Sequence, residues 1–94
     1  MKQRFYVFMQ CEPGHTYDVG MAIISQKRDY VADVSSVSGH WDLLLRIEID
    51  NRKDVGRELA GALAGLEHVT RTETIVAYPI FDPDDVYFGE DGDP

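Results

Sequence analysis

The residues best suited to chemistry lie in one short stretch, Ser38 to Asp42, which reads SGHWD. A carboxylate accepts strong hydrogen bonds from a cationic group such as an ammonium, so Asp42 is a candidate ligand-binding residue. The backbone N–H groups of Gly39 and His40 are candidates for binding a ligand carboxylate, as in nests of successive N–H groups. The alternative is a plain hairpin turn in which Asp42 bonds local backbone and Trp41 belongs to the core.

A second row of polar side chains is formed by alternate residues of a later stretch, Thr70, Thr72 and Thr74. These threonines are candidates for lining a polar pocket. Threonine is also common in strands because its branched side chain suits a pleated surface. The row therefore predicts either a pocket wall or an ordinary strand face.

The remaining reactive residue types form no pattern that indicates catalysis. The histidines, His15, His40 and His68, have spacings that fit no zinc motif, and we expect them at the surface or in loops. Cys11 ends an apolar alternation and is expected to be a buried structural thiol. The sequence has neither a Ser-His-Asp order nor a phosphate-binding loop. We therefore expect no catalytic residue, no metal and no cofactor.

Six segments in the order β-α-β-β-α-β position these residues. Four have the residue types and alternation of strands, and two repeat apolar residues at helical spacing. The strands are predicted at 4–12, 30–37, 41–49 and 69–78, and the helices at 17–26 and 55–66. Thr16 is the predicted N-cap of the first helix, and Asp50-Asn51 offers one for the second. The order predicts an α+β, ferredoxin-like domain with two helices on one face of an antiparallel four-stranded sheet.

The candidate loop joins the second and third strands of this sheet. Gly39 supplies the positive φ that a tight turn needs. Trp41 alternates with Leu43 and Leu45, so we expect it on the core face. The first strand is apolar on both faces, which is typical of a strand covered on both sides. A second copy is the simplest cover, giving a twofold homodimer.

The charge of the chain is unevenly distributed. The net charge is −8, yet residues 82–94 carry six acids and no base, against eleven acids and nine bases in residues 1–81. Without a basic stripe, direct binding to nucleic acid is disfavoured. We expect one domain over residues 1–81 and an acidic, flexible tail over residues 82–94.

The cellular location is predicted from three features of the sequence. No run of about 18 apolar residues is present to cross a membrane. The apolar run near the N-terminus, Phe5 to Met9, is too short for a signal peptide. A single cysteine excludes an internal disulfide and suits a reducing compartment. We therefore expect a cytoplasmic protein.

Four stretches of the sequence resemble the effector-binding (RAM) domain of the Lrp/AsnC, or feast/famine, transcription regulators. They are Pro13-Gly14 after the first strand, Val31 to Val34, the glycine–aromatic–aspartate–apolar stretch Ser38 to Leu45, and Val69 to Thr74. Their order and spacing cover roughly residues 4–78. One departure is His68, which stands where the family has a glycine before its valine.

The resemblance implies a βαββαβ domain of the dimeric α/β-barrel type, which dimerises through its sheet and assembles into rings, commonly octamers. It implies a small effector, usually an amino acid, bound between dimers. Carried over by residue, the effector loop is Ser38, Gly39, His40, Trp41 and Asp42, and a neighbouring subunit contributes around Thr72 and Thr74. The helix-turn-helix domain that precedes this module in the regulators has no room before the first strand. We therefore expect a stand-alone module without DNA binding, with a full-length Lrp/AsnC regulator as a candidate partner.

Three functions follow from these observations. The leading one is a non-enzymatic sensor of an amino acid. The second is a small dimeric α/β-barrel enzyme such as a monooxygenase, because one fold hosts many functions. It needs a roomy cleft on the open sheet face, and a large cavity inside one subunit favours it, whereas a pocket between dimers favours the sensor. The third is a structural oligomerisation module, which predicts no pocket near Asp42.

Overall fold

A computed structural model of the chain describes residues 2–81. Its elements are β1 Lys2–Cys11, α1 Thr16–Ser25, β2 Val31–Ser36, β3 Leu43–Asp50, α2 Val55–Leu63 and β4 Val69–Ala77. The strands form one sheet in the order β2-β3-β1-β4, with every neighbouring pair antiparallel. The predicted ferredoxin-like α+β fold is confirmed. The predicted acidic tail, residues 82–94, lies outside the described residues.

The core lies between one face of the sheet and the two helices. Alternate residues of the two central strands are buried, namely Phe5, Val7, Met9 and Cys11 of β1 and Leu43, Leu45, Ile47 and Ile49 of β3. Val19 and Ile23 of α1 and Ala62 of α2 belong to the same cluster, so both helices cover the same sheet face. Each fully buried leucine or isoleucine contributes roughly 1.5–3 kcal/mol relative to exposure. The strict alternation in β1 and β3 is therefore what fixes their register.

The first helix begins one residue earlier than predicted. Thr16 lies within α1, the N-cap position is His15, and the His15 side chain makes no capping hydrogen bond. Its Nδ1 instead lies 3.0 Å from Oδ2 of Asp18 in the first turn. The N-terminal turn of α1 is thus left without a side-chain cap.

The N-cap of the second helix also differs from the prediction. Asp54 takes this position, and its carboxylate accepts the backbone N–H of Arg57 at 3.2 Å. Asp50 is still the last residue of β3 and binds Arg52 instead. The helix follows Asp54 because a short turn separates it from β3, and only the residue next to the helix can reach its free N–H groups.

The edge strand β4 contains an irregularity that breaks the predicted row of threonines. Cys11 pairs with Val69 while Gln10 pairs with Arg71, so Thr70 is an extra residue in the strand. Its Oγ1 donates a hydrogen bond to the Gln10 carbonyl at 3.1 Å. Residues after such a bulge alternate with the opposite parity, so Thr70 does not share a regular face with the threonines that follow it.

Candidate functional site

The β2–β3 loop, residues 37–42, is the turn that the sequence predicts. Gly39 has φ +102°, a conformation that glycine adopts without strain. Ser38, Gly39 and His40 are exposed. The His40 carbonyl accepts a hydrogen bond from the Gln10 side chain at 3.4 Å, which places the tip of the loop beside β1.

Asp42 ties this loop to β1 through both its backbone and its side chain. Its N–H donates to the Met9 carbonyl at 2.8 Å, and its own carbonyl accepts the Val37 N–H at 3.1 Å. Its carboxylate oxygen Oδ2 accepts the Cys11 N–H at 2.7 Å. The structural alternative for Asp42 is thus present, although the bonded backbone is 31 residues away rather than local.

The contact with Asp42 also affects the thiol of Cys11, which is buried. Burial raises the pKa of the Cys11 thiol, and the negative charge of Asp42 raises it further. Both causes favour the neutral thiol over the nucleophilic thiolate. The geometry agrees with the prediction of a buried structural thiol.

Trp41 does not lie on the core face, and that prediction is wrong. Its ring lies 5.8 Å from the Phe8 ring, between centroids, and the Arg71 guanidinium lies 5.2 Å over it. Phe8 pairs with Leu44 and alternates with the buried residues of β1, so this contact is on the open sheet face. The strand alternation begins only at Leu43. Trp41 precedes the strand, so the alternation does not determine which face of the sheet its ring occupies.

A cavity of about 420 Å³ lies between α1 and β2, and Asp42 borders it. It is lined by Thr16, Tyr17, Gly20, Met21 and Ile24 of α1, by Val34, Ser36 and Val37 of β2 and its exit, and by Asp42 and Leu43. Small-molecule sites commonly have volumes of about 300–1,000 Å³ and mainly apolar walls. Among residues 2–81, Asp42 is the only ionisable acid or base in the wall apart from the phenol of Tyr17. Of the seven predicted site residues, only Asp42 borders this cavity.

The α1 wall of the cavity contains none of the site residues that the sequence predicts. Tyr17, Met21 and Ile24 are 91%, 67% and 53% exposed, and they follow one another at i, i+4 and i+7. That spacing places them on one helix face, beside the core face of Val19 and Ile23. The sequence therefore contains a signal for this wall, because α1 has apolar residues beyond those that pack in the core.

Thr72 and Thr74 lie apart from the loop within one chain. They pair with Met9 and Val7, which point into the core, so both threonines lie on the helix side of the sheet. Both are exposed. β4 and β2 form opposite edges of the sheet, and neither threonine lines the cavity beside Asp42.

Two histidines far apart in sequence are stacked on one another. The rings of His15 and His68 lie 3.7 Å apart with an angle of 8° between their planes. Nδ1 of His68 is 2.7 Å from Oε1 of Glu12, and His68 has φ +69°. The left-handed backbone explains why a glycine suits this position in the resembled family. Within residues 2–81, no three histidine, cysteine or acidic side chains are grouped to hold a metal.

The fold and the loop signature together define a ligand-binding domain of the type that occurs in transcription regulators. The chain belongs to the Lrp/AsnC ligand-binding domain family, whose model matches residues 4–85. Among curated proteins, none matches the chain. Neither helix within residues 2–81 has the length and apolar character needed to span a membrane.

Solved structures with the same fold include both short and long chains. A Thermus thermophilus protein, TTHA0845, is 25% identical with a TM-score of 0.72, over 85% of this chain and 98% of that one. AsnC from E. coli is 15% identical with a TM-score of 0.67, over 85% of this chain and 54% of that one. The Neisseria meningitidis regulator NMB0573, solved in complex with L-Met, is 12% identical with a TM-score of 0.60, over 85% of this chain and 52% of that one. At the two lower identities the likeness shows the fold alone.

Proposed function

We propose that this domain is a non-enzymatic sensor of a small molecule, most simply an α-amino acid, which binds at the β2–β3 loop beside Asp42. The observation that carries the proposal is the half-buried Asp42 carboxylate at the edge of a 420 Å³ cavity. A carboxylate has about four acceptor sites. The Cys11 N–H occupies one of them, and the others are left for a ligand ammonium. The neisserial structure supports an amino acid as the ligand class, because that regulator, which has the same fold, is solved in complex with L-Met.

The other candidate contacts remain those of the family loop. Ser38, Gly39, His40 and Trp41 precede Asp42, and the exposure of the first three leaves the loop free to meet a ligand or a second copy. Thr72 and Thr74 of a neighbouring copy complete the site in this proposal, since within one chain they lie on the far edge strand. The site is then shared between copies, which makes binding sensitive to assembly.

The output of binding is a shift in assembly. A ligand moves an equilibrium only by its different affinity for the two states. An effector held between copies favours the assembly in which its contacts are complete. The domain then acts either through its own homodimers and larger rings, octamers among them, or by joining a full-length Lrp/AsnC regulator in a mixed assembly.

The open sheet face favours a sensor over the enzyme alternative, although a cavity within one chain, as found beside Asp42, is a feature that the enzyme also predicts. An enzyme of this fold needs a cleft on the open sheet face. Next to the loop, that face is covered by the contact of Trp41 with Phe8 and Arg71. The cavity bordered by Asp42 lies on the helix side instead. A purely structural module has no need for a cavity at this residue.

A thermal-unfolding screen of the twenty amino acids tests the proposal. A ligand at about 100 times its Kd stabilises a protein by about 2.7 kcal/mol, which raises the Tm of a domain of this size by more than about 10 °C. Asp42→Asn is the matched variant, because the asparagine carbonyl still accepts the Cys11 N–H while the charge is lost. Stabilisation of the wild type by at least one amino acid, reduced at least tenfold in affinity by Asp42→Asn, is the expected result. No stabilisation by any amino acid contradicts the proposal.

A further inference from the structure

We infer that Arg71 and the β-bulge at Thr70 are positioning residues that hold the β2–β3 loop in place, so that the edge strand β4 controls the proposed effector loop of its own chain. β1 lies between β4 and β3, the strand that follows the loop. This inference rests on the proposed function for the role of the loop, and it assigns a task to two residues outside that site. Its own support is a set of contacts that run from the loop across β1 to β4.

The first step is the contact of the loop with β1. The His40 carbonyl accepts the Gln10 side chain at 3.4 Å, and the Trp41 ring lies 5.8 Å from the Phe8 ring between centroids. Asp42 is bonded to β1 through both its N–H and its carboxylate. Three consecutive residues of the loop are thus attached to β1, so the position of the loop depends on where this end of β1 lies.

The second step is the contact of β4 with the same end of β1. The Thr70 hydroxyl donates to the Gln10 carbonyl at 3.1 Å, and Gln10 pairs with Arg71. Gln10 therefore binds the bulge through its backbone and the loop through its side chain. A single residue of β1 links the two.

The third step is the direction of the Arg71 side chain. Residues two apart in a regular strand lie on the same face of the sheet, so Val69 and Arg71 would share one. Val69 instead pairs with the buried Cys11 and packs against the core. The Arg71 guanidinium lies 5.2 Å over the Trp41 ring, on the open face. The extra residue, Thr70, makes both placements possible, because a bulge re-aims the side chains that follow it.

Amide hydrogen exchange of the full chain, followed by NMR, tests this inference. The Val37 N–H is bonded to the Asp42 carbonyl across the loop, and the Asp42 N–H is bonded to β1, so both amides exchange when the loop opens. A cation over a solvent-accessible ring shifts such an opening equilibrium about two- to fivefold. We expect Arg71→Ala to speed the exchange of these two loop amides by that factor. Thr70→Val, which removes the bond to the Gln10 carbonyl, should speed it too.

Asp54→Ala is the matched control, because it lowers the stability of the whole fold without touching the loop. Asp54 caps α2, and the loss of an N-cap destabilises a protein by an amount similar to the loss of a cation–π contact. The amides of Val7 and Leu45 lie in the buried centre of the sheet and exchange by global unfolding, so both variants should speed them. Only Arg71→Ala should also speed the two loop amides.

The outcomes separate this inference from the proposed function. Loop amides that exchange at the wild-type rate in Arg71→Ala overturn the inference. Equal acceleration of the loop amides in Asp54→Ala also overturns it, because the loop then opens only with the whole fold.

A second measurement repeats the exchange of the wild type in the presence of each of the twenty amino acids. An amino acid that binds the closed loop should slow the same two amides, since it stabilises only the state that binds it. If none does so while Arg71→Ala still speeds the exchange, the sensor proposal fails and the positioning role of Arg71 stands.

Discussion

The carboxylate of Asp42 accepts the backbone N–H of Cys11 at 2.7 Å, so a side chain from the β2–β3 loop completes the hydrogen bonding of β1. The ladder between β1 and β3 ends at Met9 and Leu43. Asp42 supplies an acceptor just beyond that point, where no strand carbonyl continues the ladder. The residue proposed to bind the effector therefore also stabilises the fold. A test of Asp42 must separate its effect on ligand binding from its effect on stability.

Asp42→Ala is expected to destabilise the fold more than Asp42→Asn. The alanine variant leaves the N–H of the buried Cys11 without an acceptor, which costs about 1–3 kcal/mol, whereas asparagine keeps a carbonyl oxygen. Urea unfolding of both variants measures the difference in free energy. Equal stability of the two variants would show that the 2.7 Å bond contributes nothing to the folded state.

The Trp41–Arg71 contact is expected to report on the loop. Trp41 is partly exposed, and a cation over an aromatic ring at a solvent-accessible site contributes about 0.5–1 kcal/mol, so Arg71→Ala should lower the free energy of unfolding by about that amount. Because the chain has a single tryptophan, its emission should also shift to longer wavelength as the ring gains solvent. Arg57→Ala, an exposed arginine on α2, serves as the control and should leave the emission unchanged. An unshifted spectrum in Arg71→Ala would refute the contact.

His68→Gly is expected to be more stable than His68→Ala. Both variants lose the stacking on His15 and the contact with Glu12, but only alanine keeps the cost of the left-handed backbone at φ +69°. That cost is roughly 1–2 kcal/mol for a residue with a Cβ. Thermal unfolding of the two variants, side by side, measures it. The opposite order would mean that the backbone relaxes away from this conformation when the ring is removed.

Asp50 is expected to make stability depend on pH in acid. The Arg52 side chain and backbone N–H hold the pKa of the Asp50 carboxyl well below its usual range. Such a group contributes stability above its unfolded pKa, about 3.9, and this contribution is lost as the pH falls below that value. Asp50→Asn and Arg52→Ala should therefore both show a flatter loss of stability between about pH 4 and pH 2. If stability falls with pH as steeply in both variants as in the wild type, the Asp50–Arg52 pair is not the source of this pH dependence.

Cys11 is expected to react slowly with thiol reagents in the folded protein. Burial and the Asp42 charge raise the pKa of its thiol, and the thiolate is the reactive form. The rate of reaction with Ellman's reagent should rise several-fold in Asp42→Asn and much further in urea. Since burial is the larger cause, a native rate equal to the unfolded rate would show that β1 opens at this end.

Several features of the site could be read from neighbouring residues in the sequence. The turn at Gly39 follows from a small residue between two β-branched and apolar runs, and the alternation from Leu43 to Ile49 correctly predicts the buried face of β3. The glycine–aromatic–aspartate signature pointed to the family that the match over residues 4–85 confirms. These features depend on local backbone preference and on the two-residue alternation of a strand. Both can be recognised in the sequence without knowing which strands pair.

Other features could not be read in this way. Strand alternation extended two residues before β3 predicts a core position for Trp41, but the structure places its ring against Phe8. The stack of His15 on His68 joins residues 53 positions apart. No spacing rule connects such pairs, because their distance depends on how β4 is placed beside β1.

The amino-acid sequence alone is enough to predict the order of the elements, the buried face of each central strand, the turn at Gly39 and the family. What Asp42 and Trp41 contact, and where a cavity forms, depends on the tertiary structure. Asp42 meets Cys11 because β1 and β3 pair in one register, and the cavity exists because α1 packs beside β2 with an apolar stripe left uncovered. Local preference sets the elements, but contacts between distant residues are set by register and packing, which the whole chain determines together.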